Sequence, residues 1–452
     1  MFSRFQLNPI GSKYKGTYVW DRLQEVDVDH GIVFNFESNS QLCDMALDSV
    51  ESRLLIVGSQ NGFLHIFDVE NPSVWRLDMI QYRLVACVRN KVNREESQSL
   101  VKESPLVCVQ WYPVDSGAFI SASVNKTLGI WDTNRLECVT SVCLSQSLSW
   151  LSMSSVACNH NLIAVSLGPG SEESCARAVL VDPLIGSTAI TLLGGHSQSG
   201  LTQVVWSPRA SYLVVTGGRD GKILYWDIRF PLKPIYSLNK EIGPQIDLVY
   251  SSEAVAHTGP VLGLTFSPDG LHLVSWGGSG LTLDAVCLRI WTSGPEDWES
   301  PSHGKWGSSN IPRSRPVNFG NVILNSSNNQ FTNTRGQPSV SSSSSGRACQ
   351  SPQPSILPVR LASTYGSTGD LWGASSLCAF VPVRNRLLIA SASKNDSSTR
   401  VITRHFSKIR ACVWNDRQLE LYTCGNDGQL FTWPVHPVSS GNGNDDFDED
   451  QL

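Results

Sequence analysis

No stretch of the 452 residues stays apolar for the roughly 18 positions a membrane helix needs, and residues 1–15 lack the apolar core of a secretory signal. Neither membrane insertion nor export is expected, and the expected compartment is intracellular. Charge is also scarce. Only 17% of residues are charged, and the net charge is -5 with a pI near 6.0. That balance offers no broad positive field to hold phosphates, so no direct binding to nucleic acid is expected and protein partners are favoured.

The 12 cysteines contain no CxxC pair. Cys43, Cys87, Cys108, Cys378, Cys412 and Cys424 sit inside apolar runs, as small buried hydrophobes do in a reducing compartment. No disulfide is expected. Cys158 and His160, with Cys138, Cys143 and Cys175 nearby, are the grouping a zinc ion could use, yet each lies in or beside an expected strand. No metal and no other cofactor is expected. Phosphate-cradling motifs fail as well, because Ile223 follows Gly221 and Lys222 where a P-loop needs Ser or Thr, and Thr216 stands where its first glycine belongs.

What the chain does have is 41% hydrophobic residues, 14 tryptophans and a repeated pattern. Residues 194–229 read GGHSQSGLTQVVWSPRASYLVVTGGRDGKILYWDIR, three short β-rich runs punctuated by Ser207–Pro208, by Gly217–Gly218 with Asp220–Gly221, and by Asp227. Such runs form antiparallel strands joined by tight turns. One unit would leave apolar faces bare and must stack on copies of itself. The copies are there. An aromatic residue stands six positions after Asp or Asn at Asn125 and Trp131, Asp220 and Trp226, Asp427 and Trp433, and Asn61 and Phe67.

The expected fold is therefore all-β: a seven-bladed propeller with a short N-terminal helical arm and a disordered insertion after blade five. Residues 1–24 form the arm, where Tyr18, Val19, Trp20 and Leu23 could line one face of a short helix, the alternative being a frayed end. Residues 25–291 hold blades one to five, preceded by a strand within 25–36 that can pair into the last blade and close the ring. Residues 292–360 are dense in Ser, Asn, Pro and Gly and are expected to be disordered. Residues 361–436 hold blade six, resuming at Ser375, and blade seven; residues 437–452 are an acidic tail.

The polar residues that suggest catalysis are better explained by the repeat. His196, Thr216, Asp220 and Trp226 are spaced so that indole, hydroxyl, imidazole and carboxylate can be hydrogen-bonded in series within blade four. A hydrolase triad is the competing reading. The same set recurs as His405, Thr423, Asp427 and Trp433, and no GxSxG elbow is present, so a structural network is expected and an enzyme is not. In blade two Lys102 and Glu103 stand where a histidine would be expected, which predicts more reliance on packing.

VQWYPVDSGAF with KTLGIWDTN, VVWSPRASYLVV with YWDIR, and AHTGPVLGLTFSPDGLHLVSWG resemble the WD-repeat family, and within it the substrate receptors of cullin-4 ubiquitin ligases that serve transcription-coupled nucleotide excision repair. The acidic ending DDFDEDQL fits the resemblance too. It implies docking on the adaptor called damaged DNA-binding protein 1 through the arm, here Trp20 and Leu23, and through a Trp-Asp-x-Arg motif carried by Trp226, Asp227 and Arg229. In blade two Asn134 stands at the arginine position. The implied targets include the Cockayne syndrome B protein and the stalled RNA polymerase II machinery, and the implied location is the nucleus. A general propeller scaffold unrelated to ubiquitin is the alternative.

Overall fold

The computed structural model describes residues 40–76, 79–90, 104–157, 159–169, 178–239, 255–278, 286–292, 358–367, 375–392 and 397–434, with strand residues 32–34, 243–245, 316–317, 321–323 and 332–334. The helical arm, the acidic tail and most of the 292–360 segment lie outside them.

Seven blades of antiparallel strands stand around an axis, and the chain visits them in order. The innermost strands, taken from blade one to blade seven, are Leu42–Leu47, Leu106–Trp111, Leu148–Met153, Leu201–Trp206, Val261–Phe266, Ala362–Ser367 and Ile409–Asn415. Blade four shows why each run becomes a strand. In Leu213–Gly218, Leu213 and Val215 face blade five while Val214 faces blade three, the period-2 alternation of a sheet buried on both sides. Seven apolar clusters result, one in each gap between neighbouring blades. Glycine makes the close approach at one turn: Gly221, at φ +77°, passes its missing Cβ against the carbonyl of His257 in the next blade.

The ring closes as the sequence predicts. Ile32–Phe34 pairs antiparallel with Leu430–Pro434, matching Ile32 with Thr432 and Val33 with Phe431. The same strand also pairs in parallel with Met79–Arg89 of blade one, so blades seven and one join into a single eight-stranded sheet. No edge is left at the seam.

One expectation is corrected. Blade six does not resume at Ser375, since its innermost strand is Ala362–Ser367. Within the 292–360 segment the described residues include short strands. Pro316–Val317 pairs with Val286–Thr292 as the fourth strand of blade five, and Asn321–Ile323 pairs with Thr332–Thr334.

The end of that segment is structurally central. Val359 donates its N–H to Leu262 of blade five, Arg360 its N–H to Arg410 of blade seven, and Cys412 of blade seven returns an N–H to Arg360. Gln203 of blade four donates to the carbonyl of Val359 at 2.7 Å. The peptide at residues 359–360 thereby spans the axis and uses edge groups of the inner strands that no neighbouring strand occupies.

Candidate functional site

Within a blade the second strand runs antiparallel to the first and the third antiparallel to the second, so the first and third strands finish on the same face. We refer to this as the exit face and to the opposite one as the entry face. The motif sequence reasoning assigns to docking, Asp227 and Arg229, therefore lies on the exit face.

Asp227 is buried at the strand end and its carboxylate turns the chain: it accepts the N–H of Arg229 at 2.9 Å and then both Nε and Nη2 of the Arg229 side chain, at 2.9 to 3.1 Å and 2.6 Å. The guanidinium lies 3.9 Å above the ring of Tyr212 from the adjoining turn. The carboxylate holds Arg229 charged, through the hydrogen bond first and despite partial burial. A fork clasped on one side and stacked below still presents donors outward, and 38% of the side chain remains exposed. The other blades differ. Asp68 of blade one takes its arginine from Arg53, at 2.7 Å, whereas Asp132 accepts the backbone N–H groups of Asn134 and Arg135 and Asp182 those of Leu184 and Ile185.

Exposed large apolar side chains gather on these same turns. Leu184 and Ile185 after blade three's Asp182, and Phe230 and Leu232 after blade four's Asp227, are all more than 60% exposed. The exit face also opens on a 420 Å³ cavity at the axis, bordered by Trp111, Trp206, Phe266 and Trp414 and floored by Arg360. Trp20 and Leu23 of the arm lie outside the described residues.

The residues proposed as a network are brought together near the entry face. Trp226 donates its indole N–H to Thr216 Oγ1 at 2.8 Å, the hydroxyl meets His196 Nε2 at 2.8 Å, and His196 Nδ1 meets Asp220 at 3.2 Å. Asp220 also accepts from the N–H groups of Ser197 and Lys222. In blade seven the corresponding distances are 3.0 Å from Trp433 to Thr423, 3.0 Å from Thr423 to His405 and 2.8 Å from His405 to Asp427. A consistent proton order has the indole donating to the hydroxyl, the hydroxyl to Nε2 and Nδ1 to the carboxylate. Burial alone would raise the pKa of Asp220 and Asp427, but the histidine and the backbone N–H donors outweigh it and hold both carboxyls below their ordinary value. Thr216 and Thr423 are wholly buried with their hydroxyls occupied, which suits neither to nucleophilic attack.

Sequence reasoning missed two related arrangements. In blade five, His257 meets Ser275 at 2.8 Å and Trp291 donates to the same hydroxyl at 2.8 Å. Serine replaces threonine there, and the longer connection puts the tryptophan sixteen positions after the hydroxyl residue instead of ten. In blade two, which is expected to lean on packing, Trp131 donates to Ser121 at 2.9 Å and Ser104 bonds Ser123, while Lys102 and Glu103 lie outside the described residues. His160, considered above as a zinc ligand, bonds the Ser211 carbonyl at 2.8 Å, and among the described residues no three His, Cys, Asp or Glu side chains gather as a metal site.

Residues 187–227 match the model of the WD domain, G-beta repeat. The chain is similar to the WD repeat-containing protein ATCSA-1 of Arabidopsis thaliana, at 24% identity over 95% of this chain and 92% of that protein. It also resembles Radiation-sensitive protein 28 of Saccharomyces cerevisiae, at 25% identity over 41% of this chain and 37% of that one. A shorter likeness, 31% over 28% of this chain and 25% of the other, is to the ribosome biogenesis protein YTM1 of Phaeosphaeria nodorum.

Proposed function

We propose that this WD-repeat propeller is a substrate receptor of a cullin-4 ubiquitin ligase, of the Cockayne syndrome A type, working in the nucleus in transcription-coupled nucleotide excision repair. The observation that carries the reading is the outward fork of Arg229, clasped by Asp227 and set on Tyr212 amid the exposed apolar turns of blades three and four. The full-length similarity to ATCSA-1 supports it. In this reading the exit face and the arm, with Trp20 and Leu23, dock on the damaged DNA-binding protein 1 adaptor. The entry face holds the target, with the Cockayne syndrome B protein and the stalled polymerase as candidates.

The chain's contribution is then positional. Holding adaptor and target on one rigid disc raises the effective concentration of target lysines at the ligase, and no bond is made or broken on the propeller itself. Pull-down of the adaptor by the full chain, by a variant lacking residues 1–24 and by Arg229→Ala tests the proposal. Loss of capture with either change is the expected result. Full retention with both favours a scaffold role in another complex, the reading to which the ribosome biogenesis likeness points.

A further inference from the structure

Six of the seven inner strands break register at their second residue, a bulge between Leu42 and Asp44, Leu106 and Cys108, Leu148 and Trp150, Leu201 and Gln203, Val261 and Gly263, and Ile409 and Ala411. Bulges re-aim side chains, and these stand at one level around the axis, on the entry side of residues 359–360. The six bulged residues are Cys43, Val107, Ser149, Thr202, Leu262 and Arg410. Five are uncharged at neutral pH. Arg410 alone carries a charge.

Arg410 is 3% exposed, and its Nη1 has no hydrogen-bond partner among the described residues. The carboxylate that could neutralise it, Asp44, is already occupied: Arg360 donates to both its oxygens, and Val109 gives it a backbone N–H at 2.8 Å. Two guanidiniums thus share one carboxylate at the axis, and Lys408, whose charge burial first and Arg410 second disfavour, is close by. A buried guanidinium with open donors is costly, and such charges are ordinarily paired. Burial pushes the Arg410 pKa down, with Asp44 and the thiols of Cys43 and Cys424 only partly opposing that.

We propose that Arg410 is the anchor of an oxyanion site on the entry side of residues 359–360, taking a phosphate- or carboxylate-class group. A guanidinium presents N–H pairs in a plane, which matches two oxygens of one such group better than it matches a spherical ion. The site is separate from the exit-face docking surface and does not depend on the function proposed above.

Thermal unfolding of the full chain in phosphate, acetate and chloride at matched ionic strength tests it. A ligand that binds only the folded state stabilises it by RT ln(1 + [L]/Kd), so the midpoint rises with the logarithm of concentration above Kd. The expected result is a rise in phosphate that follows the logarithm of its concentration, absent in Arg410→Met and retained in Arg219→Met, a control at a part-buried arginine whose Nε also lacks a partner among the described residues. A rise in phosphate alone identifies the free inorganic ion as the ligand, and an equal rise in acetate identifies a carboxylate as sufficient. An equal response to chloride, or an undiminished phosphate response in Arg410→Met, overturns the proposal. Should that variant not fold, Arg410→Lys keeps the charge and removes the planar fork. It must then weaken the phosphate Kd drawn from that dependence at least about tenfold, corresponding to roughly 1.4 kcal/mol, and an unchanged Kd overturns the proposal.

Discussion

Arg360 and Asp44, 316 positions apart in sequence, form a two-pronged ion pair across the axis of the propeller, Nε to one oxygen at 2.7 Å and Nη2 to the other at 2.6 Å. The same guanidinium reaches the Val109 carbonyl at 2.8 Å and lies 4.9 Å from the ring of Trp150. One side chain from the start of blade six therefore holds blades one, two and three. Burial disfavours its charge, but Asp44 more than compensates and keeps Arg360 firmly protonated.

Removing one partner leaves the other buried and unpaired. Asp44→Ala strands both Arg360 and Arg410 in the interior, and a loss of about 3–5 kcal/mol is expected in urea unfolding. The double variant Asp44→Ala with Arg360→Met is expected to lose less than Asp44→Ala alone, because the uncompensated charge goes with the second change. A double variant at least as unstable as the single one would show that the pair acts by packing rather than by charge.

Much of this architecture could be read in the sequence, and what could not has a physical reason. The inner three strands of most blades are buried on both faces and bounded by Pro, Gly and Asp, so they appear as short apolar runs. Fourth strands were harder to see because they lie outermost: Glu137–Cys143 and Ser187–Leu192 are mostly exposed and carry no apolar run. Arg360 looked like the last residue of a Ser- and Pro-rich stretch because its partners are hundreds of positions away and leave no local trace. His257 was visible as the opening of blade five, but its tie to Ser275 was hidden by the longer connection before Trp291.

His257 gives stability a dependence on acid. It is buried with Nδ1 lacking a partner, and burial first, then the positive Arg289, push its pKa down to about 3. Between the ordinary imidazole value near 6.5 and that figure, the unfolded chain binds a proton the folded chain refuses. Stability is therefore complete above about pH 6.5 and falls as pH drops toward 3, at up to about 1.4 kcal/mol per pH unit from this group. His257→Gln is expected to flatten the pH 6.5 to 5 part of the curve of unfolding free energy. An equally steep curve in that variant would place the proton uptake elsewhere.

Gly221 tests the contact between blades four and five. Its φ of +77° disfavours any other residue, and an added Cβ would overlap the His257 carbonyl, a backbone atom that cannot swing aside. The N–H groups of Ala256 and His257 both bond the Gly221 carbonyl, at 3.1 and 3.0 Å, so any shift to relieve the clash breaks them. Gly221→Ala is expected to cost at least about 1–3 kcal/mol. Asp220→Ala, in the neighbouring position, leaves that backbone path open and removes instead the caps on Ser197 and Lys222. A Gly221→Ala protein as stable as the parent would mean that the two blades do not press together there.

Ring closure rests on three residues. Ile32–Phe34 covers the free edge of Leu430–Pro434 on one side and meets Met79–Arg89 on the other, so removing it uncovers two strand edges at once. A propeller opened at one seam keeps six of its seven apolar clusters but exposes the one between blades seven and one, where Leu42, Met45, Tyr422 and Leu430 pack. Unpaired edges beside apolar surface are templates for association. Substituting Val33 with Pro removes a backbone donor from the closing pair and disfavours its extended pairing. The variant is expected to unfold at lower urea, with a broadened transition, and to aggregate on light scattering at concentrations where the parent stays monodisperse. The same substitution at Val139, on the exposed outermost strand of blade two, should change neither measurement to the same extent; equal effects at both positions would show that closure is no more demanding than any other edge pairing.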